Sequence, residues 1–141
     1  WLEKRESFTN VNRELQLLLV DDSAFFRNLL SPLLSSAGYR VTMVESAKDA
    51  LRLKDAGSQF DVIVSDIEMP EMDGITFAEH LKNDEKWGNT PIIALSSHTN
   101  QDVIERGRAA GFRDYVAKFD REGLIESIRE CKVTTEKEAA A

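Results

Sequence analysis

Apolar runs and amphipathic segments alternate five times along the middle of this 141-residue chain. The apolar runs are the candidate strands, at 15–20, 40–45, 61–65, 91–95 and 114–117. The first, third and fourth are nearly continuous in apolar residues, which is typical of strands covered on both faces. Five units of strand followed by helix predict an α/β domain, a doubly wound parallel sheet with helices on both faces.

The candidate helices are marked by apolar residues at helical spacing. In the first, the positions follow an i, i+3, i+4, i+7 stripe, namely Phe26, Leu29, Leu30, Leu33 and Ala37. Gly38 is a C-terminal signal for this helix, and Pro32 inside it predicts a kink or an early break. The second helix, 47–56, opens at a capping pattern of Ser46 and Asp49 and closes at Gly57. The other three carry shorter stripes at Ile75, Ala78 and Leu81, at Val103, Gly107 and Ala110, and at Leu124, Ile128 and Cys131.

Composition narrows the class of protein. The formal net charge of −7 and the absence of a basic cluster argue against binding to nucleic acid or to a membrane surface. The single Cys131 excludes an internal disulfide and fits a reducing, cytoplasmic compartment. No apolar stretch reaches the length of a transmembrane helix.

The two ends differ in character from the middle. We expect a domain over 15–131, a linker or N-terminal tail over 1–14, and a C-terminal tail over 132–141. Because the chain begins at Trp1 rather than Met, we also expect it to be a piece of a longer protein.

Polar residues stand where the predicted strands end. Asp21 and Asp22 follow the first strand, Asp66 the third, Ser96 the fourth and Lys118 the fifth. In a parallel sheet these ends meet at one edge, where ligands bind. Asp21 and Asp22 alone could instead cap the first helix, and Lys118 alone could be a solvated lysine.

Taken together, these five residues indicate phosphoryl chemistry. Three neighbouring carboxylates repel one another, and their oxygens are ligands that Mg²⁺ prefers. Asp66 could then act as a nucleophile that forms an aspartyl phosphate. Lys118 and the Ser96 hydroxyl would contact further phosphoryl oxygens, because phosphoryl transfer depends on positioning and charge neutralisation.

The chain resembles the receiver domains of two-component signalling, the CheY-like response regulators, over about residues 15–131. The resemblance rests on Asp21-Asp22, on Asp66 in the segment 66–74, on Ser96-Ser97 and on 115–118. Ser96 follows Asp66 by 30 residues and Lys118 follows it by 52, as in that family. It implies a flavodoxin-like sheet of order 2-1-3-4-5 with five helices.

The resemblance also implies roles. Asp66 would be the phosphoacceptor, supplied by a phosphohistidine on a histidine kinase or a histidine phosphotransfer domain. Asp21, Asp22, Asp66 and the backbone carbonyl of Glu68 would hold Mg²⁺. Ser96 and Lys118 would contact the phosphoryl group. Tyr115 would change position with Ser96 and alter the face made by the fourth helix, fifth strand and fifth helix, although a strand tyrosine is often only a packing residue.

Three positions depart from the usual family pattern or vary within it. Phe119 stands where proline is usual. Glu68 and His98 occupy positions that tune the attack of water on the phosphoryl group, so we expect both to alter autodephosphorylation. The segment 116–120 resembles receivers of chemotaxis proteins, either hybrid CheA-type kinases or CheV-like couplers.

Two other functions compete with the signalling switch. A Mg²⁺-dependent aspartyl-phosphate hydrolase of the haloacid-dehalogenase type would use a strand-end aspartate in the same way. It needs an acid two residues later, where Glu68 stands in place of aspartate, and a cap domain for which there is no room. A flavodoxin-like flavin carrier needs a phosphate loop after the first strand, where Asp21 and Asp22 would repel the phosphate.

Overall fold

The computed structural model describes residues 15–97 and 100–140, with side chains described as far as Cys131. Within these residues strands and helices alternate in the order β1 Leu15–Val20, α1 Ala24–Ser36, β2 Tyr39–Val44, α2 Ala47–Asp55, β3 Val62–Asp66, α3 Gly74–Lys82, β4 Ile92–Ser96, α4 Gln101–Ala110, β5 Asp114–Ala117 and α5 Arg121–Ala140. Each predicted strand is present, within one residue of its expected bounds.

The strands form one parallel sheet in the order β2-β1-β3-β4-β5, which confirms the predicted fold class. The chain passes from β1 outward to β2 and then returns to β3 on the other side of β1. The carboxyl ends of β1 and β3 therefore flank the point where strand order reverses, which is where ligands bind in open sheets of this type. Val20 pairs with Ser65, so the residues that follow them, Asp21 and Asp66, emerge side by side.

Two apolar layers cover the sheet. Leu17 and Leu19 of β1 face the layer of α1 and α5, whereas Leu18 and Val20 face the layer of α2, α3 and α4. Alternate residues of one strand thus enter opposite cores, which is why β1 is continuously apolar from Leu17 to Val20. Cys131 is buried in the α1 and α5 layer, as its place on an apolar stripe predicts.

Local signals define most helix ends as expected. Ser46 accepts a hydrogen bond from the Asp49 amide at the start of α2. Gly38 and Gly57 follow the ends of α1 and α2 with φ of 99° and 93°, and Gly111 closes α4 with φ of 117°.

Pro32 does not break α1, contrary to the expected early break. The helix continues to Ser36, four residues further on. Proline removes the hydrogen bond to the carbonyl of the residue four positions earlier, Asn28. Both Asn28 and Pro32 lie on the exposed face of the helix, so water can hydrate this carbonyl.

The two predicted tails differ in how much of each the structure describes. The expected N-terminal tail, 1–14, lies outside the described residues. The expected C-terminal tail, 132–141, is described as helix up to Ala140. None of the described helices combines the length and the apolar character that crossing a membrane requires.

Gly74 brings α3 against the end of β3. Its amide donates a hydrogen bond to the Ile67 carbonyl at 2.9 Å. A Cβ atom at this position would collide with the Asp66 carbonyl oxygen and lie 2.9 Å from the Ile67 Cα. The opposing atoms belong to the backbone and cannot rotate away, so glycine is required for α3 to approach Asp66 this closely.

Gly74→Ala should therefore lower the free energy of unfolding by about 2 kcal/mol or more, as overpacking against a fixed backbone does. Gly57→Ala is the control, because its added methyl meets no atom within 4 Å and costs only the strain of a positive φ, about 1 kcal/mol. Denaturant unfolding of both variants measures the difference. Equal losses in the two variants would contradict the packing explanation.

Candidate functional site

Three carboxylates converge at the strand-order reversal. Asp21 and Asp66 are fully buried, and Asp22 is exposed at the rim. One oxygen from each lies within 4.8 Å of the other two. The structure thus brings together the three acids that the sequence places at strand ends.

Lys118 reaches this cluster from the end of β5. Its Nζ lies 3.0 Å from Asp66 Oδ2 and 3.3 Å from Asp21 Oδ2, and its side chain is only 8% exposed. Its backbone amide donates to the Ser96 carbonyl at 3.0 Å, which ties the β5 end to β4. A buried ammonium between two carboxylates is screened much less than an exposed ion pair, so Lys118 is not a solvated lysine.

The loops around the strand ends fix the orientation of the two buried acids. The Ser23 amide donates to Asp21 Oδ1 at 2.9 Å, and the Glu68 amide donates to Asp66 Oδ1 at 3.3 Å. The cap of α1 is Ser23, whose hydroxyl accepts from the Phe26 amide. The acid pair therefore does not cap the helix, and its carboxylates are directed to the cluster instead.

The charges of the site are out of balance, because one ammonium faces three carboxylates. Burial raises the pKa of Asp66 to about 7, and the Asp21 charge and the contact with Asp22 add to the rise, although the Lys118 ammonium opposes it. Burial by itself lowers the pKa of Lys118, but its hydrogen bonds and attraction to Asp66 and Asp21 raise it overall. Lys118 thus stays charged while Asp66 needs further positive charge to ionise readily.

The residues fit a hard divalent cation. Among the described residues, Asp21 Oδ2 is buried without a hydrogen-bond donor, since its contact with Lys118 is an ion pair without hydrogen-bond geometry. A buried carboxylate oxygen that lacks a donor is costly unless a cation completes it. Together with Asp22 and Asp66 it offers an all-oxygen ligand set, which suits Mg²⁺.

Ser96 is fully buried at the end of β4, but its hydroxyl is engaged. Ser96 Oγ donates to Glu68 Oε1 at 2.6 Å. Glu68 belongs to the loop after β3 and is itself exposed. The sequence placed both residues at the mouth of the site, but it did not reveal that they bind each other.

A row of phenylalanine rings borders Lys118, and its contact with the lysine does not follow from any spacing in the sequence. Lys118 Nζ lies 4.4 Å from the centre of the Phe26 ring, which packs edge-on against Phe25 and Phe119 at 5.5 and 5.3 Å. Phe25 and Phe119 are 68% and 73% exposed. The cation–π contact helps to hold Lys118 in place. The consecutive Phe25-Phe26 next to the acid pair was the available sequence signal.

The remaining candidate residues either lie away from the acid cluster or fall outside the described residues. Tyr115 is half-buried on β5, beside Ala94 of β4, and packs against the α2, α3 and α4 layer. His98 lies outside the described residues. His80 is exposed on α3, away from the acid cluster at the strand ends.

Sequence comparison identifies relatives over most of the chain. A family profile described as the response regulator receiver domain matches residues 17–129. The two-component response regulator ORR3 of Oryza sativa subsp. indica is 34% identical over 74% of this chain and 80% of its own length. The chemotaxis protein CheY of Treponema pallidum is 30% identical, with 80% and 79% covered.

Solved structures share the fold. The receiver domain of the sensor histidine kinase PA1611 of Pseudomonas aeruginosa, which holds a magnesium ion in its active-site cleft, is 31% identical and aligns with a TM-score of 0.75. The alignment covers 84% of this chain and 97% of that one. These matches give no support to the hydrolase alternative. From its fold, the acid cluster at its strand-order reversal and these matches, the chain belongs to the response regulator receiver domain family, the phosphorylatable switches of two-component signalling.

Proposed function

We propose that Asp66 is the phosphoacceptor of this switch and that the acid cluster binds Mg²⁺. The observation that carries the proposal is the Lys118 ammonium, which contacts Asp66 at 3.0 Å and Asp21 at 3.3 Å inside a buried acid cluster. A carboxylate placed beside a fixed cation and a set of oxygen ligands is arranged for in-line phosphoryl transfer.

The phosphoryl group passes from nitrogen to oxygen. An oxygen of the Asp66 carboxylate attacks the phosphorus of a phosphohistidine, and a new P–O bond forms as the P–N bond breaks. The electron pair of the P–N bond leaves with the imidazole, which takes up a proton. The donor is a histidine kinase or a histidine phosphotransfer domain.

Each neighbour has a role at the acceptor. Asp21, Asp22, Asp66 and the Glu68 carbonyl would hold Mg²⁺, which supplies positive charge to the phosphoryl oxygens. Lys118 is already positioned to pair with one phosphoryl oxygen, and Phe26 keeps its ammonium in place. Ser96 donates to another oxygen once its hydroxyl turns from Glu68.

We propose that the response is a population shift. The phosphoryl group favours the state in which Ser96 contacts it, and Tyr115 follows, so the face of α4, β5 and α5 changes. Glu68 and His98 control the access of water. The lifetime of the phosphorylated state should therefore change in Glu68→Asn and in His98→Ala.

The place of action we propose is the cytoplasm, where two-component partners meet and where the lone buried Cys131 stays reduced. Membership in a chemotaxis pathway, in a hybrid kinase or in a CheV-like coupler is a narrower proposal. It rests on the segment 116–120 and on the CheY relative. The output partner would recognise the α4, β5 and α5 face.

Acetyl phosphate and Mg²⁺ should add one phosphoryl group to the domain, as read from its intact mass. Asp66→Asn should abolish the gain, and chelation of Mg²⁺ should reduce it by at least tenfold. Glu79→Gln, on the exposed face of α3, is the control and should label normally. Labelling that survives Asp66→Asn would show that another residue is the acceptor.

The raised pKa of Asp66 predicts a pH-dependent stability in the metal-free domain. The folded state holds the proton up to about pH 7, whereas the ordinary pKa of 3.8 applies to the unfolded chain. The folded state therefore binds more protons between these values, so stability should fall as pH rises from about 4 to about 7.

Asp66→Asn should remove much of this slope and raise stability near pH 7.5 by about 1 to 3 kcal/mol, because it deletes an excess buried charge. Mg²⁺ should stabilise the wild type more than the variant, since a ligand of the folded state shifts unfolding by mass action. Denaturant unfolding across pH checks both effects. A free energy of unfolding that rises with pH over this range in the wild type would show that the folded state does not raise the pKa of Asp66.

A further inference from the structure

We infer that Glu68 is a positioning residue that holds the Ser96 hydroxyl away from the phosphoryl group until Asp66 is phosphorylated. The inference rests on the proposed function and assigns to Glu68 a part in the switching equilibrium, apart from any effect on attacking water.

The hydrogen bond between Ser96 and Glu68 is short, and the hydroxyl has a single proton to donate. Ser96 Oγ lies 2.6 Å from Glu68 Oε1, the short distance typical of a hydroxyl that donates to a charged carboxylate. A serine hydroxyl carries one proton and therefore donates to one acceptor at a time. Ser96 can bind Glu68 or a phosphoryl oxygen as a donor, but not both.

The two possible acceptors of the Ser96 hydroxyl lie close together in the fold. Asp66 and Leu95 are register partners on β3 and β4, so Ser96 follows directly beside the end of β3. Glu68 lies two residues after Asp66, and its amide donates to the Asp66 carboxylate at 3.3 Å. The resting acceptor therefore lies two residues beyond the phosphoacceptor at the end of β3, and Ser96 can exchange between them by turning its side chain.

Ser96 and Glu68 differ in their exposure to solvent. Ser96 is fully buried whereas Glu68 is exposed. When the hydroxyl turns away, water can solvate the Glu68 carboxylate. The resting contact is therefore favourable enough to be populated and still reversible when a phosphoryl group offers a competing charged acceptor.

The competing explanation is charge alone. Glu68 adds a negative charge near the phosphoryl site, and its removal would favour any anion there. The two explanations differ in one respect, because only the hydrogen-bond explanation requires the Ser96 hydroxyl.

The experiment measures the affinity for beryllofluoride, a phosphoryl mimic, in the presence of Mg²⁺ by NMR titration. The variants are Glu68→Ala, Ser96→Ala and their double. Glu68→Ala should tighten binding by roughly tenfold in the wild-type background and by about threefold or less in the Ser96→Ala background. Equal gains in both backgrounds would overturn the inference, because charge would then account for the whole effect.

Two further variants separate charge from hydrogen bonding. Glu68→Gln removes the charge but keeps an acceptor oxygen, and it should tighten binding less than Glu68→Ala does. Glu71→Gln removes a charge from another exposed position of the same loop and should change binding less than twofold. Equal gains for Glu68→Gln and Glu68→Ala would contradict the role of the hydrogen bond.

A measurement on the unphosphorylated protein tests the contact without any ligand. The Hα–Hβ couplings of Ser96 should report one rotamer in the wild type and averaging in Glu68→Ala. Unchanged couplings would overturn the inference. If beryllofluoride does not bind the wild type at all, the proposed function fails, whereas the couplings still decide whether Glu68 holds Ser96.

Discussion

The Lys118 ammonium lies between two buried carboxylates, 3.0 Å from Asp66 and 3.3 Å from Asp21, and this contact allows an acidic cluster to exist inside a folded domain. Without it, Asp21 and Asp66 would be buried like charges. With it, the cluster still carries an excess of negative charge, so the pKa of Asp66 is raised to about 7 by burial and by its acidic neighbours. The Lys118 contact thus offsets part of the repulsion between the buried acids, and the remaining excess of negative charge favours the binding of a cation.

The arrangement of the strands places Lys118 beside the two carboxylates. The reversal of strand order brings the ends of β1 and β3 together, and β4 and β5 extend the same edge to Ser96 and Lys118. Gly74 lets α3 approach the end of β3, and the Phe26 ring packs against the lysine. The two apolar cores hold the sheet and helices together, whereas these few contacts determine where the charges meet.

Much of this arrangement could be predicted from the sequence, because it depends on periodicity and on position at strand ends. Apolar runs located the five strands, and the acids, serine and lysine that follow them indicated the site. The sheet order came from the family resemblance. The capping role of Ser23 was missed, since Asp21 and Asp22 are equally good capping residues by type.

The features that the sequence did not predict depend on how side chains and helices pack. The Ser96–Glu68 hydrogen bond and the Lys118–Phe26 contact join residues far apart in sequence, and each depends on side-chain rotamers that no spacing rule specifies. The effect of Pro32 depended on whether the lost hydrogen bond faced water or the core. Sequence patterns therefore specify which groups reach the edge, and packing decides which of them bind each other.

The most direct test of the account is a crystal structure of the domain with Mg²⁺ and beryllofluoride. The account predicts the mimic bonded to an Asp66 oxygen, the cation held by Asp21, Asp22 and Asp66, and Lys118 paired with a fluorine. It also predicts that the Ser96 hydroxyl has left Glu68 for another fluorine. A mimic bound elsewhere, or a Lys118 that remains on Asp21 and does not contact it, would contradict the account.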